Sequence, residues 1–111
     1  MPTAILRGDG DTIDYLPASN VNAGDVIVQG DLIGIATVPI AADTLGALRV
    51  RGLFVMPKPS GTAITAGTKL YWDATNQRVA TTDGTGANKY LGKAAAAAAA
   101  ADTTILVLVT P

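Results

Sequence analysis

Turn-forming residues constrain this chain more than any other feature. The stretches GDGD at 8–11, NAGD at 22–25, QGD at 29–31, KPSG at 58–61, TAG at 65–67, DATNQ at 73–77 and TDGTGAN at 82–88 divide it into short pieces. Glycine, asparagine and aspartate relax the backbone into turn conformations, so regular elements have to fit between these breaks. The pieces are rich in β-branched residues, and breaks arriving about every eight to twelve residues are the pattern of a sandwich or barrel. The expected strands are Val26–Val28, Leu32–Val38, Ala47–Met56, a hairpin of Lys69–Trp72 with Arg78–Thr82, and Thr103–Val109, the strongest of the set. In Ala47–Met56 the order Leu48, Arg49, Val50, Arg51 alternates with period two, as in a strand with one buried face. No window of eleven or more residues carries a capped 3.6-residue stripe. The expected fold is all-β, a small single-domain β-sandwich or barrel of short antiparallel strands with at most one short helical turn. Residues 1–15 read as an N-terminal arm or a first strand, and 16–111 as a single β domain.

One stretch resists this reading. Eight consecutive alanines, Ala94 to Ala101, precede the last strand, and alanine has the highest intrinsic helix propensity. Yet a stable surface helix needs a polar face and a bulky apolar face, and an isolated helix this short is marginal in water. Lys89 to about Ala97 therefore reads as a strand of small side chains, and the remaining alanines with Asp102 as a connection. Helix is the alternative. As a strand, the methyl groups let another surface approach closely. The chain also echoes itself. VNAGDVIVQGDLIGIAT at 21–37 resembles ITAGTKLYWDATNQRVAT at 64–81, which suggests one hairpin built twice and led into by a glycine turn at Gly24 and Gly67. Chance reuse of turn chemistry is the alternative, and shared hairpin geometry does not require a duplicated sequence.

The search for reactive groups is short. The chain has no cysteine and no histidine, so disulfides, thiolate nucleophiles, most zinc sites and the usual general base near neutral pH are excluded. Asp9, Asp11 and Asp14 cluster, but a calcium loop needs a distal glutamate and the chain has none. They read as solvated turn residues. Arg7–Asp9 spells RGD, a tripeptide that arises often by chance. Lys58, Lys69, Lys89 and Lys93 read as lone cations. No enzyme, cofactor or metal is expected. A net charge of −1 without a basic block argues against nucleic acid and anionic membranes as partners. No apolar stretch reaches the length needed to span a bilayer. The expected product is soluble and made in a cytoplasm.

What remains is binding. Tyr71 and Trp72 are adjacent on one expected strand and point to opposite faces, so one is core and the other partly exposed. Arg49 and Arg51 share a face and could meet a neighbour's acids. An N-terminal arm adding as a strand to a neighbour would bring Ile5, Leu6, Arg7 and Tyr15 to the contact. The candidate interface is thus Ile5, Leu6, Arg7, Tyr15, Arg49, Arg51 and Trp72.

The segments GDTIDY, IAADTLGALRVRGLFVMPK, AGTKLYWD and the terminal GKA…ADTTILVLV, in this order, resemble the DUF2190 family of small bacteriophage proteins, read as capsid decoration or cement proteins. The likeness runs from about Gly10 to Val109. None of its pieces is catalytic. Where the family mixes other residues before the last strand, this chain has alanine alone. The resemblance implies a β-rich protein that binds the outside of an assembled phage head, typically as a homotrimer, with the major capsid protein lattice and itself as partners. It implies location on the virion after synthesis in the bacterial host cytoplasm. The alternative is a virion-surface module that recognises carbohydrate or a host surface.

Overall fold

Nearly every β-rich run becomes a strand, and one run becomes two. The strands are β1 (Thr12–Tyr15), β2 (Val26–Gln29), β3 (Leu32–Ile35), β4 (Gly46–Arg49), β5 (Gly52–Pro57), β6 (Lys69–Asp73), β7 (Arg78–Ala80), β8 (Lys89–Ala94) and β9 (Thr104–Val109). The computed structural model describes Ala4, Ile5 and Gly10–Pro111. In it the strands form two antiparallel sheets, a four-stranded one of order β1-β4-β3-β2 and a five-stranded one of order β5-β9-β8-β6-β7. A single 3-10 turn at Gly84–Gly86 is the helical element among the described residues. The fold is an all-β sandwich.

The stretch expected as one strand, Ala47–Met56, is β4 and β5 on different sheets. The chain turns at Gly52, whose φ of 153° disfavours any side chain. Val50 stays buried next to the break, so the period-two alternation runs on and hides it. β3 ends at Ile35, short of the expected Val38, because the following residues fold over the sheet until Ile40 bridges to Val21. The alanines form no helix. β8 stops at Ala94 rather than near Ala97, Ala98 makes an isolated bridge with Ile64, and a turn follows in which the Asp102 N–H donates to the Ala99 carbonyl at 3.0 Å. Ala94 and Ala98 are buried, where their methyl groups admit close packing.

The sequence echo corresponds to a repeated architecture. Gly24 and Gly67 have φ of 89° and 85°, and their N–H groups donate to the carbonyls of Ala36 (2.6 Å) and Ala94 (2.7 Å). The Ala36 and Ala94 N–H groups donate back to the carbonyls of Asp25 (3.0 Å) and Thr68 (2.9 Å). The bridges Val21–Ile40 and Ile64–Ala98 close both units. With β7 set aside, the two sheet orders coincide, β1-β4-β3-β2 against β5-β9-β8-β6. The second arm of the repeat is not the one the sequence suggested. LIGIA at 32–36 corresponds to YLGKA at 90–94 in β8, while β7 is an added strand inserted between.

Two apolar clusters organise the halves. Ile33 and Ile35 of the first sheet join Leu70, Trp72, Val79, Leu91, Val107 and Val109 of the second in the larger cluster. Val21, Ala36, Ile40 and Leu48, with Ile13, Tyr15 and Ile27 against them, form a smaller one on the other face of the first sheet. The centre of the first sheet is therefore buried on both sides. The second sheet buries one side.

Candidate interaction surfaces

The uncovered side of the second sheet is aliphatic. Along β5 and β9, Phe54, Met56, Ile105 and Val107 turn towards the core, so the alternation sends Leu53, Val55, Leu106 and Leu108 outward. Leu53 lies opposite Leu108, and Val55 opposite Leu106. Their exposures are 62%, 41%, 70% and 36%. An antiparallel sheet facing water ordinarily carries polar residues on that side. The equivalent positions of the first sheet do so in large part, with Thr12 opposite Arg49 and Asp14 opposite Ala47. Next to the aliphatic four lie Lys93, paired with Leu108, and Lys69, paired with Lys93. The Lys69 ammonium sits 5.6 Å from the centre of the Tyr90 ring, which meets Tyr71 edge-on at 6.3 Å between centroids. Aliphatic and aromatic side chains with few charges make up the centre of a typical protein interface.

A second feature is a cleft of about 480 Å³ where the sheets meet, lined by Val26, Ile35, Phe54, Met56 and Trp72 among others. Trp72 is only 4% exposed, and its indole N–H is buried without a partner. Such a donor costs about 1–3 kcal/mol relative to one hydrogen-bonded in water.

Of the residues singled out from sequence, Tyr15, Arg49 and Trp72 take up different surroundings. Ile5 is exposed, and Leu6 and Arg7 lie outside the described residues. Tyr15 is half-buried against the smaller cluster. Arg49 folds back so that Nε and Nη2 donate to the Arg51 carbonyl at 3.2 and 3.0 Å. Arg51 lies in the break after β4, not on a strand, with Nε 3.9 Å from Asp11 Oδ1. The two arginines therefore do not form the common strand face expected of them, because the chain leaves the first sheet between them. Trp72 is the core member of its pair and Tyr71 the half-exposed one. Leu53, Val55, Leu106 and Leu108 were missed, although GLFVMP and TILVLV are apolar at nearly every position and so have two apolar faces each.

Two lysines also differ from expectation. Lys89 Nζ is 2.9 Å from Asp31 Oδ1 and ties the second sheet to the β2–β3 turn of the first. Lys58 is 4% exposed, and its ammonium donates to the carbonyls of Pro59 (3.0 Å), Asp102 (2.9 Å) and Ala100 (3.4 Å). It staples the alanine turn. Asp73 organises the β6–β7 turn. The Asn76 side-chain amide, the backbone N–H groups of Asn76 and Thr75, and the nearby Arg78 hold its carboxyl below the ordinary aspartate value against an opposing desolvation. Among the described residues, no three acidic, histidine or cysteine side chains come together to hold a metal, and no helix is long and apolar enough to cross a membrane.

Residues 7–109 match the family described as phage cement protein. No curated protein and no solved structure matches.

Proposed function

This chain belongs to the phage cement protein family, and from that premise we propose that it binds the outer surface of an assembled bacteriophage head, as a trimer, and stabilises the shell. A role in capsid decoration follows from the family; the binding mode is our reading. What carries it is the match over residues 7–109 together with a sheet that leaves a broad aliphatic face bare among the described residues. A ligand that binds the assembled lattice and not its free subunits stabilises the lattice by mass action, about 2.7 kcal/mol per site at a free concentration one hundred times the dissociation constant. Joined copies engaging repeated sites add avidity, so single contacts can be weak. This work needs a rigid body with flat surfaces and no reactive centre or cofactor. The partners are the major capsid protein lattice and further copies of the chain, and the place is the virion surface after synthesis in the host cytoplasm. Recognition of carbohydrate has less support, since Trp72, the best stacking group, is buried.

The test is co-sedimentation of purified protein with expanded heads that lack it. Saturable binding at a fixed ratio to capsid subunits is expected, and no binding to free capsid subunits. Protein left entirely in the supernatant would overturn the reading.

A further inference from the structure

The repeat within the chain places the bare face beside a polar counterpart. In the first unit, the face carrying Thr12, Asp14, Ala47 and Arg49 continues across the sheet to Ile33 and Ile35, and there it packs against the second unit. One copy of the motif thus uses the β3 part of this face to pack on the other copy, while its β1 and β4 part, Thr12, Asp14 and Ala47, stays exposed. In the second unit the same face carries Leu53, Val55, Leu106 and Leu108, and among the described residues nothing covers it. Charge supplies a direction. Residues 1–51 hold six aspartates against three arginines, a net charge of −3, while residues 52–111 hold three aspartates against five cations, a net charge of +2. The bare face is flanked by Lys69 and Lys93, neither of which forms an ion pair among the described residues. Two such faces meeting each other would bring those lysines together, whereas an acidic first unit would complement them. The acidic unit also offers an apolar contact of its own: exposed Leu16, after Tyr15, and Leu45, before Gly46, flank the Tyr15–Gly46 pair at one end of its sheet, near Asp14.

We propose that the outer face of the five-stranded sheet is covered by the acidic four-stranded half of a second copy of this chain, head to tail. Such a heterologous contact closes into a ring when its rotation permits. The inference specifies the self-association in the function proposed above and does not depend on shell binding.

Sedimentation equilibrium of the full chain, up to about 1 mM, the concentration at which even weak association appears, tests it. Wild type is expected to associate reversibly. Val55→Asp puts a carboxylate where an acidic unit docks and is expected to weaken association at least tenfold, with the thermal midpoint unchanged. Leu106→Thr, a substitution strands tolerate, serves as the second variant if Val55→Asp does not fold. Lys93→Glu is expected to weaken association several-fold at low salt and little at high salt. A wild type that stays monomeric, or association indifferent to both face variants, overturns the inference. So does a monomeric wild type whose head binding is lost in Val55→Asp, which assigns the face to the shell. Association without co-sedimentation on heads keeps this inference and defeats the shell reading.

Discussion

β3 and β9 pose the same problem and meet different solutions. Each is apolar on both faces, LIGI in one and TILVLV in the other, and such strands are ordinarily buried on both sides. β3 has its two covers: the second sheet packs on Ile33 and Ile35, and on the reverse side Val21, Ile40 and Leu48 enclose Ala36. β9 has one cover, leaving Leu106 and Leu108 partly in water. β9 holds the place in its sheet that β4 holds in the first, where the same face carries Ala47 and Arg49, so the two halves differ there in side chains: polar or small in one, aliphatic in the other. The first half exposes Thr12, Asp14 and Ala47 on this face, whereas the second exposes Leu53, Val55, Leu106 and Leu108, the kind of surface that a partner covers. That is the physical basis for an assembly role.

The comparison can be broken most forcefully at the paired glycines of β3 and β8. A Cβ on Gly92 would collide with the backbone carbonyl of Leu108, which the sheet cannot move, while a Cβ on Gly34 would come within 2.7 Å of the Leu48 Cβ. Overpacking of this kind costs about 1–3 kcal/mol and occasionally more. In urea unfolding, Gly92→Ala should lose about 3 kcal/mol or more, and Gly34→Ala about 1–3 kcal/mol, towards the upper end because the Leu48 Cβ is tied to the β4 backbone and only its Cδ1 can swing away. Equal losses would remove this distinction between the halves.

The matching turns are held by different means, which gives the next test. In the first half the Asp43 N–H donates to the Pro17 carbonyl at 2.8 Å and the Ala42 N–H to Asn20 Oδ1 at 2.8 Å. In the second half Lys58 serves the turn from 42 to 44 residues away. Lys58→Met should cost about 1.5–3 kcal/mol, the range for hydrogen bonds to a charged group. Hydrogen exchange should quicken at Ala99–Asp102 and leave 41–44 unchanged.

The glycine turns should respond alike. Gly24→Ala and Gly67→Ala each force a side chain into the left-handed region, at about 1–2 kcal/mol. Thermal midpoints lowered by similar amounts would support the repeat; a large inequality would break it. The smallest effect belongs to Asp73. Its carboxyl is held below the ordinary value of 3.8, so its stabilising contribution is complete above the unfolded pKa and is lost as pH falls through the lowered folded value. The urea midpoint of wild type should therefore drop below about pH 4, where an unfolded aspartate gains its proton, by more than that of Asp73→Asn.

Much of this was legible in the sequence because it is local. The Lys69–Asp73 hairpin partner, the Thr104–Val109 strand and the glycine turns follow from periodicity and turn chemistry over a few residues. The break at Val50–Gly52 was hidden because apolar alternation continues through a change of sheet. Lys58 was unreadable because its partners are backbone carbonyls distant in the chain and carry no side-chain signature. Counterparts β3 and β8 were mismatched because β7 stands where the second arm was expected. The aliphatic face could have been read from its two-faced strands; arginines and aromatics drew the choice of interface elsewhere, and Arg49 and Trp72 then proved to be engaged within the fold.

Heating expanded, genome-filled heads with and without saturating protein tests the central claim most directly. The account predicts that DNA release moves to higher temperature and stops rising once the sites are filled. Release at the same temperature with every site occupied would contradict it.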